Sequence, residues 1–159
     1  THVQHTFEPV FDEHSRILIL GSFPSVKSRE NQFYYGHPQN RFWKLMAQLL
    51  EVPVPQSIDE KKTMLLTHGL ALWDVIASCD IKGSSDSSIK NAVPADISRI
   101  LKAANIQTII ANGGTAFRLY RRYCEPVTGR PAALCPSTSP ANAAFSLERL
   151  SECWSKFII

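Results

Sequence analysis

Three things are scarce in this chain of 159 residues: paired cysteines, clustered histidines and long apolar runs. The four cysteines, Cys79, Cys124, Cys135 and Cys153, form no CxxC pair, which excludes the common zinc and iron–sulfur spacings. They read as reduced, mostly buried thiols. His2, His5, His14 and His68 are scattered, and only His37 stands in a suggestive stretch. No metal and no redox cofactor is therefore expected. No apolar run approaches the roughly 20 residues that span a bilayer. The stretch Thr1 to Glu13 lacks a signal-peptide core, so a soluble intracellular, cytoplasmic protein is expected. An excess of one charge is also missing. Seventeen Lys+Arg against 14 Asp+Glu leave +3, too little to mark a nucleic-acid binder by itself. No repeat or low-complexity tract breaks the chain, and the length predicts one domain, residues 1–159.

What is present is concentrated near the start. An apolar run, Ile17-Leu18-Ile19-Leu20, reads as a buried strand. Gly21-Ser22-Phe23-Pro24-Ser25 follows it, then Phe33-Tyr34-Tyr35-Gly36-His37-Pro38-Gln39-Asn40. A helix over 41–50 comes next, with Phe42, Leu45, Met46 and Leu49 at i, i+3, i+4, i+7. The loop between them carries three consecutive aromatics and an asparagine at a strand's carboxyl end, where open α/β sheets bind ligands. Exposed together, Phe33, Tyr34 and Tyr35 would suit a flat ring such as a nucleobase.

Ser57 and Glu60 fit a capping box for a second helix ending before Gly69. Leu70 to Ile76 reads as strand two, residues 80–93 as a long surface loop, and Ile97, Ile100, Leu101 and Ala104 as a third helix face. Strand three is Thr108 to Ala111, helix four 115–123, strand four Ala132 to Leu134, and a last helix covers 145–157. The alternation predicts a three-layer α/β/α sandwich around a mainly parallel four-stranded sheet. Parallel strands bring the loops after them to one edge, gathering the aromatics, Asn40, Asp74, Asn112 and Asn142 around one cleft. Lys27, Arg29, Arg41 and Lys44 flank the first loop, and Arg118, Arg121, Arg122 and Arg130 form a second group. Each group reads as a phosphate-contacting face or as a solvated surface.

The run GSFPSVKSRENQFYYGHPQNRFW resembles motif 1 of the uracil-DNA glycosylase superfamily, nearest the mismatch-specific uracil and the hypoxanthine (deoxyinosine) branches. Gly69 to Val75 with Gly83 to Ser87 resembles the central strand and loop of the hypoxanthine branch. Ile109 to Ala116 is similar to the superfamily's later strand-Gly-helix step. Pro136 to Asn142 resembles motif 2, the DNA-inserting loop.

The resemblance implies a nucleotide flipped out of the duplex and hydrolysis of its N-glycosidic bond. Tyr35 aligns with the stacking aromatic, with Phe33 and Tyr34 as competitors. Phe23 replaces the Asp or Asn that activates water in most branches, which argues against ordinary uracil excision. In the hypoxanthine branch the catalytic candidate is the Asn of His-Pro-x-Asn, here Asn40. An amide orients water through its oxygen or donates through its NH2; the alternative is that Asn40 only caps the helix after it. Gly21 and Ser22 offer backbone donors to the leaving base. Trp73 and Asp74 meet the base edge, with Asp74 accepting from an N–H; a loop-satisfying role is the alternative. Asn112 reads the base or shapes the turn at Gly113-Gly114. Ser137 and Ser139 hold phosphates, while Pro140, Ala141 and Asn142 enter the gap left by the flipped base. Cys135 stands where many branches place a His or Asn. No motif lysine offers a Schiff base. The expectation is a monomeric, monofunctional glycosylase acting on DNA with a deaminated base, best hypoxanthine. The alternatives are a uracil or mismatch glycosylase and an inactive nucleic-acid-binding module.

Overall fold

The computed structural model describes residues 2–158; Thr1 and Ile159, the ends of the expected 1–159 domain, lie outside the described residues. In chain order the elements are β1 (His2–Gln4), β2 (Ile17–Gly21), α1 (Val26–Asn31), α2 (Phe42–Leu50), α3 (Ile58–Thr67), β3 (Leu70–Asp74), β4 (Ile76–Asp80), β5 (Lys90–Pro94), α4 (Ser98–Ala103), β6 (Thr108–Asn112), α5 (Gly114–Leu119), α6 (Glu125–Thr128), β7 (Ala133–Cys135) and α7 (Leu147–Ile158). A 3₁₀ turn covers Asp86–Ser88, and the five residues Tyr120–Cys124 form a π-helical stretch between α5 and α6.

The main sheet has the order β3-β2-β6-β7, and all its pairs are parallel. Central β2 is buried along its whole length, as expected of a parallel strand covered on both faces. Its side chains alternate between two cores. Ile17 and Ile19 pack with Phe42, Leu45, Leu65, Leu150 and Trp154, which belong to α2, α3 and α7. Leu18 and Leu20 pack with Ile100 of α4, Tyr120, Cys124 and the β4 residues Ile76 and Cys79. The predicted parallel sheet between helical layers is thus observed.

Beneath the second face lies a feature that sequence reading did not anticipate, a three-stranded antiparallel sheet of order β1-β4-β5. The predicted strand Leu70–Ile76 is two strands. The chain leaves the main sheet at Asp74, Val75 donates its N–H to the Gly21 carbonyl, and Ile76 opens β4. The predicted loop 80–93 is the end of this hairpin, with β5 returning along β4. Strand β5 is largely exposed, so it lacks the apolar alternation that would announce a strand. Helix α1 falls inside what reads as continuous loop. It is capped by Ser25, whose hydroxyl accepts from the Ser28 N–H. The Ser57 cap of α3 forms as predicted, but Glu60 reaches back to the N–H of Gln56, one residue before the cap.

Strand β2 connects toward β3 on one side, while β6 connects toward β7 on the other, so the carboxyl ends of β2 and β6 flank a topological switch point. Two glycines are required there. Gly113, at φ +101, would bring a Cβ within 2.9 Å of Ser137 Cβ, and a Cβ on Gly21 would meet Asp74 Oδ1 at 2.4 Å.

The loop after β7 is bound to the start of α2 by Arg41. Its guanidinium donates to the carbonyls of Ser139 (2.9 Å), Asn142 (3.1 Å), Thr138 and Phe145, and its backbone N–H to that of Thr138. Arg29 likewise donates to the carbonyls of Pro24 and Gly83, tying the hairpin to the loop after β2. These two arginines, inside the motif 1 run, have their donors turned into the protein. Charge-assisted bonds are worth about 1.5–3 kcal/mol each, so Arg41→Met should destabilise the fold by about 2–3 kcal/mol. It should also speed amide exchange across residues 138–145. A melting temperature unchanged while DNA affinity falls would instead identify Arg41 as a phosphate contact.

Burial pushes the thiol of Cys124 up to about 11 and that of Cys135 up to about 12 from an ordinary 9.0, with neighbouring Cys153 adding to the second. Between those values the unfolded chain has released protons that the native chain retains, so stability falls as pH rises. The urea midpoint should therefore be lower at about pH 10 than at about pH 8, and Cys135→Ala should lessen the drop.

Candidate active site

A cleft of about 340 Å³ opens at the switch point. Its walls come from the loop after β2 (Gly21 to Ser25), the ends of β3 and β6 (Asp74, Asn112), the approach to α2 (Tyr35, His37, Asn40), the hairpin tip (Ser84, Asp86) and the loop after β7 (Ser137 to Ala141). Of the sequence-predicted site residues, all but Trp73 and Asn142 line it. Trp73 is the residue before Asp74 on a pleated strand and so projects to the other side. It lies instead beside Phe7, Ala77 and Arg99, whose guanidinium is 5.9 Å from its ring. Asn142 closes its own loop: its amide donates to the Ser137 carbonyl and its carbonyl accepts from Arg41.

The three consecutive aromatics separate. Phe33 and Tyr34 are 4% and 2% exposed. Phe33 stacks on Trp43, and the Tyr34 hydroxyl donates to the Glu8 carbonyl. The expected exposed trio is thus mostly core, with Phe33 removed from the cleft and Tyr34 touching it only from beneath. Tyr35 adopts φ +53, rare for a non-glycine residue and costly by about 1–3 kcal/mol. Its ring stacks on Phe42 at 4.3 Å. Its hydroxyl is buried without a hydrogen-bond partner, at a cost of about 1–3 kcal/mol in an ordinary interior. Burial raises the phenol well above its usual range and the Asp74 charge adds to this. The Asn112 side chain opposes the rise as a hydrogen-bonding neighbour, at a geometry short of a full bond. Phe23 is 7% exposed and forms an apolar wall, with the His5 ring edge-on at 6.2 Å.

Asn40 sits in a directed chain of bonds. Its Oδ1 accepts from the Phe42 N–H at 2.9 Å, capping α2, and from the Thr138 hydroxyl at 2.9 Å. Thr138 Oγ1 accepts from Asn112 Nδ2 at 3.1 Å, and the Thr138 N–H donates to Asn112 Oδ1 at 3.0 Å. A backbone N–H can only donate, so the Asn40 atom facing Phe42 must be the oxygen. Both its lone pairs are engaged. What Asn40 offers the cleft is its NH2, a donor, and the reading in which its oxygen orients water does not fit. Asn112 is likewise largely committed to Thr138, a clamp between β6 and the loop after β7.

Asp74 Oδ2 accepts from His5 Nε2 at 2.9 Å, and the two side chains are 5% and 4% exposed. Its Oδ1 takes no hydrogen bond from a described residue and approaches Gly21 and the Tyr35 hydroxyl. Asp86 stands at the cleft mouth, exposed on its outer side. The crowding of neighbouring protein raises its carboxyl above the ordinary range; a bond from the Ser22 hydroxyl at 2.9 Å opposes this and the Asp74 charge reinforces it. In the last wall the Ser139 N–H donates to Ser137 Oγ, and the Ala141 N–H to Ser139 Oγ. These tight turns leave the hydroxyl protons of both serines free. Cys135 is 1% exposed within the core and does not line the cleft. Among the described residues no lysine or arginine lines the cleft, and no three His, Cys, Asp or Glu side chains gather as metal ligands.

Three site residues escaped sequence reading. Asp86 and Thr138 lie inside stretches singled out as motifs, so the motif itself was the signal. His5 is 69 residues from Asp74 and no spacing could announce it.

The fold agrees with what the chain resembles. The family model described as the uracil DNA glycosylase superfamily matches residues 8–158. A protein of Methanosarcina acetivorans named hypoxanthine DNA glycosylase is 34% identical over 151 residues, 94% of this chain and 95% of that protein. One of the same name from Methanosarcina barkeri is 38% identical over 111 residues, covering 67% of this chain and 69% of that protein. The solution NMR structure of a candidate uracil DNA glycosylase from Methanosarcina acetivorans superposes with a TM-score of 0.81 at 34% identity, covering 96% of this chain and 94% of that one. The chain belongs to the uracil DNA glycosylase superfamily.

Proposed function

We propose that this DNA glycosylase removes hypoxanthine from DNA, leaving an abasic site, and that residues 1–159 act as one monomeric catalytic domain. The observation that carries the reading is the free Oδ1 of Asp74 at the depth of the cleft. A carboxylate there accepts from the N1–H of hypoxanthine and repels adenine, whose N1 is an acceptor. Phe23 supports hypoxanthine over uracil because the residue that activates water in most of the superfamily is here an apolar wall. The name shared by the two Methanosarcina relatives points the same way.

The flipped nucleotide enters the cleft lined by Phe23 and Tyr35. As the C1′–N9 bond breaks, its electron pair passes to the base, and the Asn40 NH2 donates to the charge that develops there. Water adds through oxygen to C1′, oriented by Asp86 at the mouth, and its proton leaves to the base or to solvent. Asp74 and Asp86 together favour the positive charge of the sugar. Ser137 and Ser139 donate to phosphates, and Pro140 with Ala141 fills the vacated stack. Among the described residues no lysine lines the cleft to form a Schiff base, and the strand is left intact.

Duplexes containing hypoxanthine, uracil or only normal bases test this directly. Alkali-labile sites should accumulate fastest with hypoxanthine. Faster release of uracil would reassign the substrate, and no abasic sites at all would leave a binding module. Asn40→Ala should lower single-turnover excision about 100- to 1,000-fold and cost about 1 kcal/mol of stability through the lost cap. Asn40→Asp separates the roles further. It keeps the capping oxygen but replaces the donor by an acceptor, so melting should be nearly unchanged while excision is lost. Retained or increased excision in Asn40→Asp would show that the residue works through its oxygen.

A further inference from the structure

We infer that the Tyr35 hydroxyl and Asp74 Oδ1 form a donor–acceptor pair that reads the lactam edge of the base, and that His5 from the N-terminal segment is the positioning residue that holds this pair in register. The inference rests on the hypoxanthine reading and adds the reader of the carbonyl and the residue that orients the carboxylate.

The starting point is an orphan. The Tyr35 hydroxyl is the buried side-chain polar atom that finds no partner among the described residues. Nearly every buried hydroxyl in a folded protein is bonded, and phenylalanine would keep the ring's stack on Phe42 without the penalty. The ring is also held in a left-handed backbone conformation. An unpaired donor kept at that cost in the wall of a cleft is a donor awaiting a ligand's acceptor.

The acceptor beside it is also unpaired. Asp74 Oδ1 and the Tyr35 hydroxyl lie 2.4 Å and 3.1 Å from the point where a Cβ of Gly21 would sit, yet they are not bonded to one another. The absence of that Cβ is what lets them converge. A lactam presents an N–H beside a C=O. Asp74 accepts from the N–H, and Tyr35 donates to the carbonyl oxygen. Adenine presents the reverse pattern, an acceptor at N1 and a donor amino group at C6, and leaves both protein groups mismatched. Guanine shares the lactam edge, so its rejection belongs to whatever faces C2.

Asp74 can serve only if its carboxylate is aimed. His5 supplies this: its N–H occupies Oδ2 at 2.9 Å, leaving Oδ1 alone to face the base. The imidazole is locked by the rings of Phe7 at 4.4 Å, Tyr34 at 5.8 Å and Phe23 at 6.2 Å. The His5 backbone N–H donates to the Ala77 carbonyl of β4. The segment after β1 is thereby part of the specificity pocket.

As the glycosidic bond breaks, negative charge collects on the carbonyl oxygen of the leaving base, so the bond from Tyr35 strengthens in the transition state. Tyr35→Phe should therefore lower the single-turnover rate on hypoxanthine about 100-fold, with little change in KM and a melting temperature equal to or above that of the parent. On 6-thiohypoxanthine, where the acceptor is a poorly accepting sulfur, the same substitution should cost less than a tenth of that factor. His5→Leu should lower the rate on both bases, and His5→Gln, which restores a donor to Oδ2, should recover part of it. Equal losses in Tyr35→Phe on the two bases, or no loss on hypoxanthine, would overturn the inference while leaving hypoxanthine excision standing. A parent protein silent on hypoxanthine overturns both readings. If the variants do not fold, the parent enzyme alone decides. Corrected for uncatalysed depurination, it should release hypoxanthine at least ten times faster than 6-thiohypoxanthine, and equal rates would refute the pair.

Discussion

Thr138 is the joint on which the site depends. It is fully buried, and every one of its polar atoms is engaged, with the end of β6 on one side and the start of α2 on the other. Its N–H and hydroxyl oxygen meet the amide of Asn112 at the end of β6, its hydroxyl proton goes to Asn40 at the start of α2, and its carbonyl receives Arg41. A hydroxyl has one proton, so once it donates to Asn40 the direction of the chain is set and both amides are held in one orientation. Buried polar chains of this kind rigidify only when complete. The orientation of the Asn40 NH2 toward the cleft is the end result of bonds that begin on β6.

The charge pattern around the cleft follows from a similar economy of donors. Arg29 and Arg41 are turned inward to backbone carbonyls, and the two acids that remain, Asp74 and Asp86, face the cleft without a cationic Lys or Arg beside them. Such a cleft suits a sugar that becomes positive and disfavours phosphate. In the proposed function the DNA backbone therefore stays at the rim, where the hydroxyls of Ser137 and Ser139 offer neutral donors, and binding and bond cleavage fall to different parts of one surface.

Much of this was legible in the chain itself. The apolar run at 17–20 and the 3.6-residue period at 42–49 identified β2 and α2, because buried strands and amphipathic helices impose their periods on side chains directly. Parallel connectivity then brought Gly21, Asp74 and Asn112 to one edge. The second sheet stayed hidden because β5 is exposed and Val75 merely redirects an apolar run that continues in both strands. Phe33 and Tyr34 looked like surface aromatics because a loop says nothing about which of three neighbouring rings turns inward.

By itself, the sequence determined the central sheet, the helices over its apolar faces and the motif residues Phe23, Tyr35 and Asn40, since these depend on local period and on residue type in a continuous stretch. Tertiary structure alone decided what those residues do. Asn40 is a donor because Phe42 and Thr138 hold its oxygen. Trp73 leaves the cleft because the pleat alternates. Asp74 is aimed by a histidine 69 positions away. Each of these is a hydrogen bond or a facing direction between distant segments, and only folding brings the partners together.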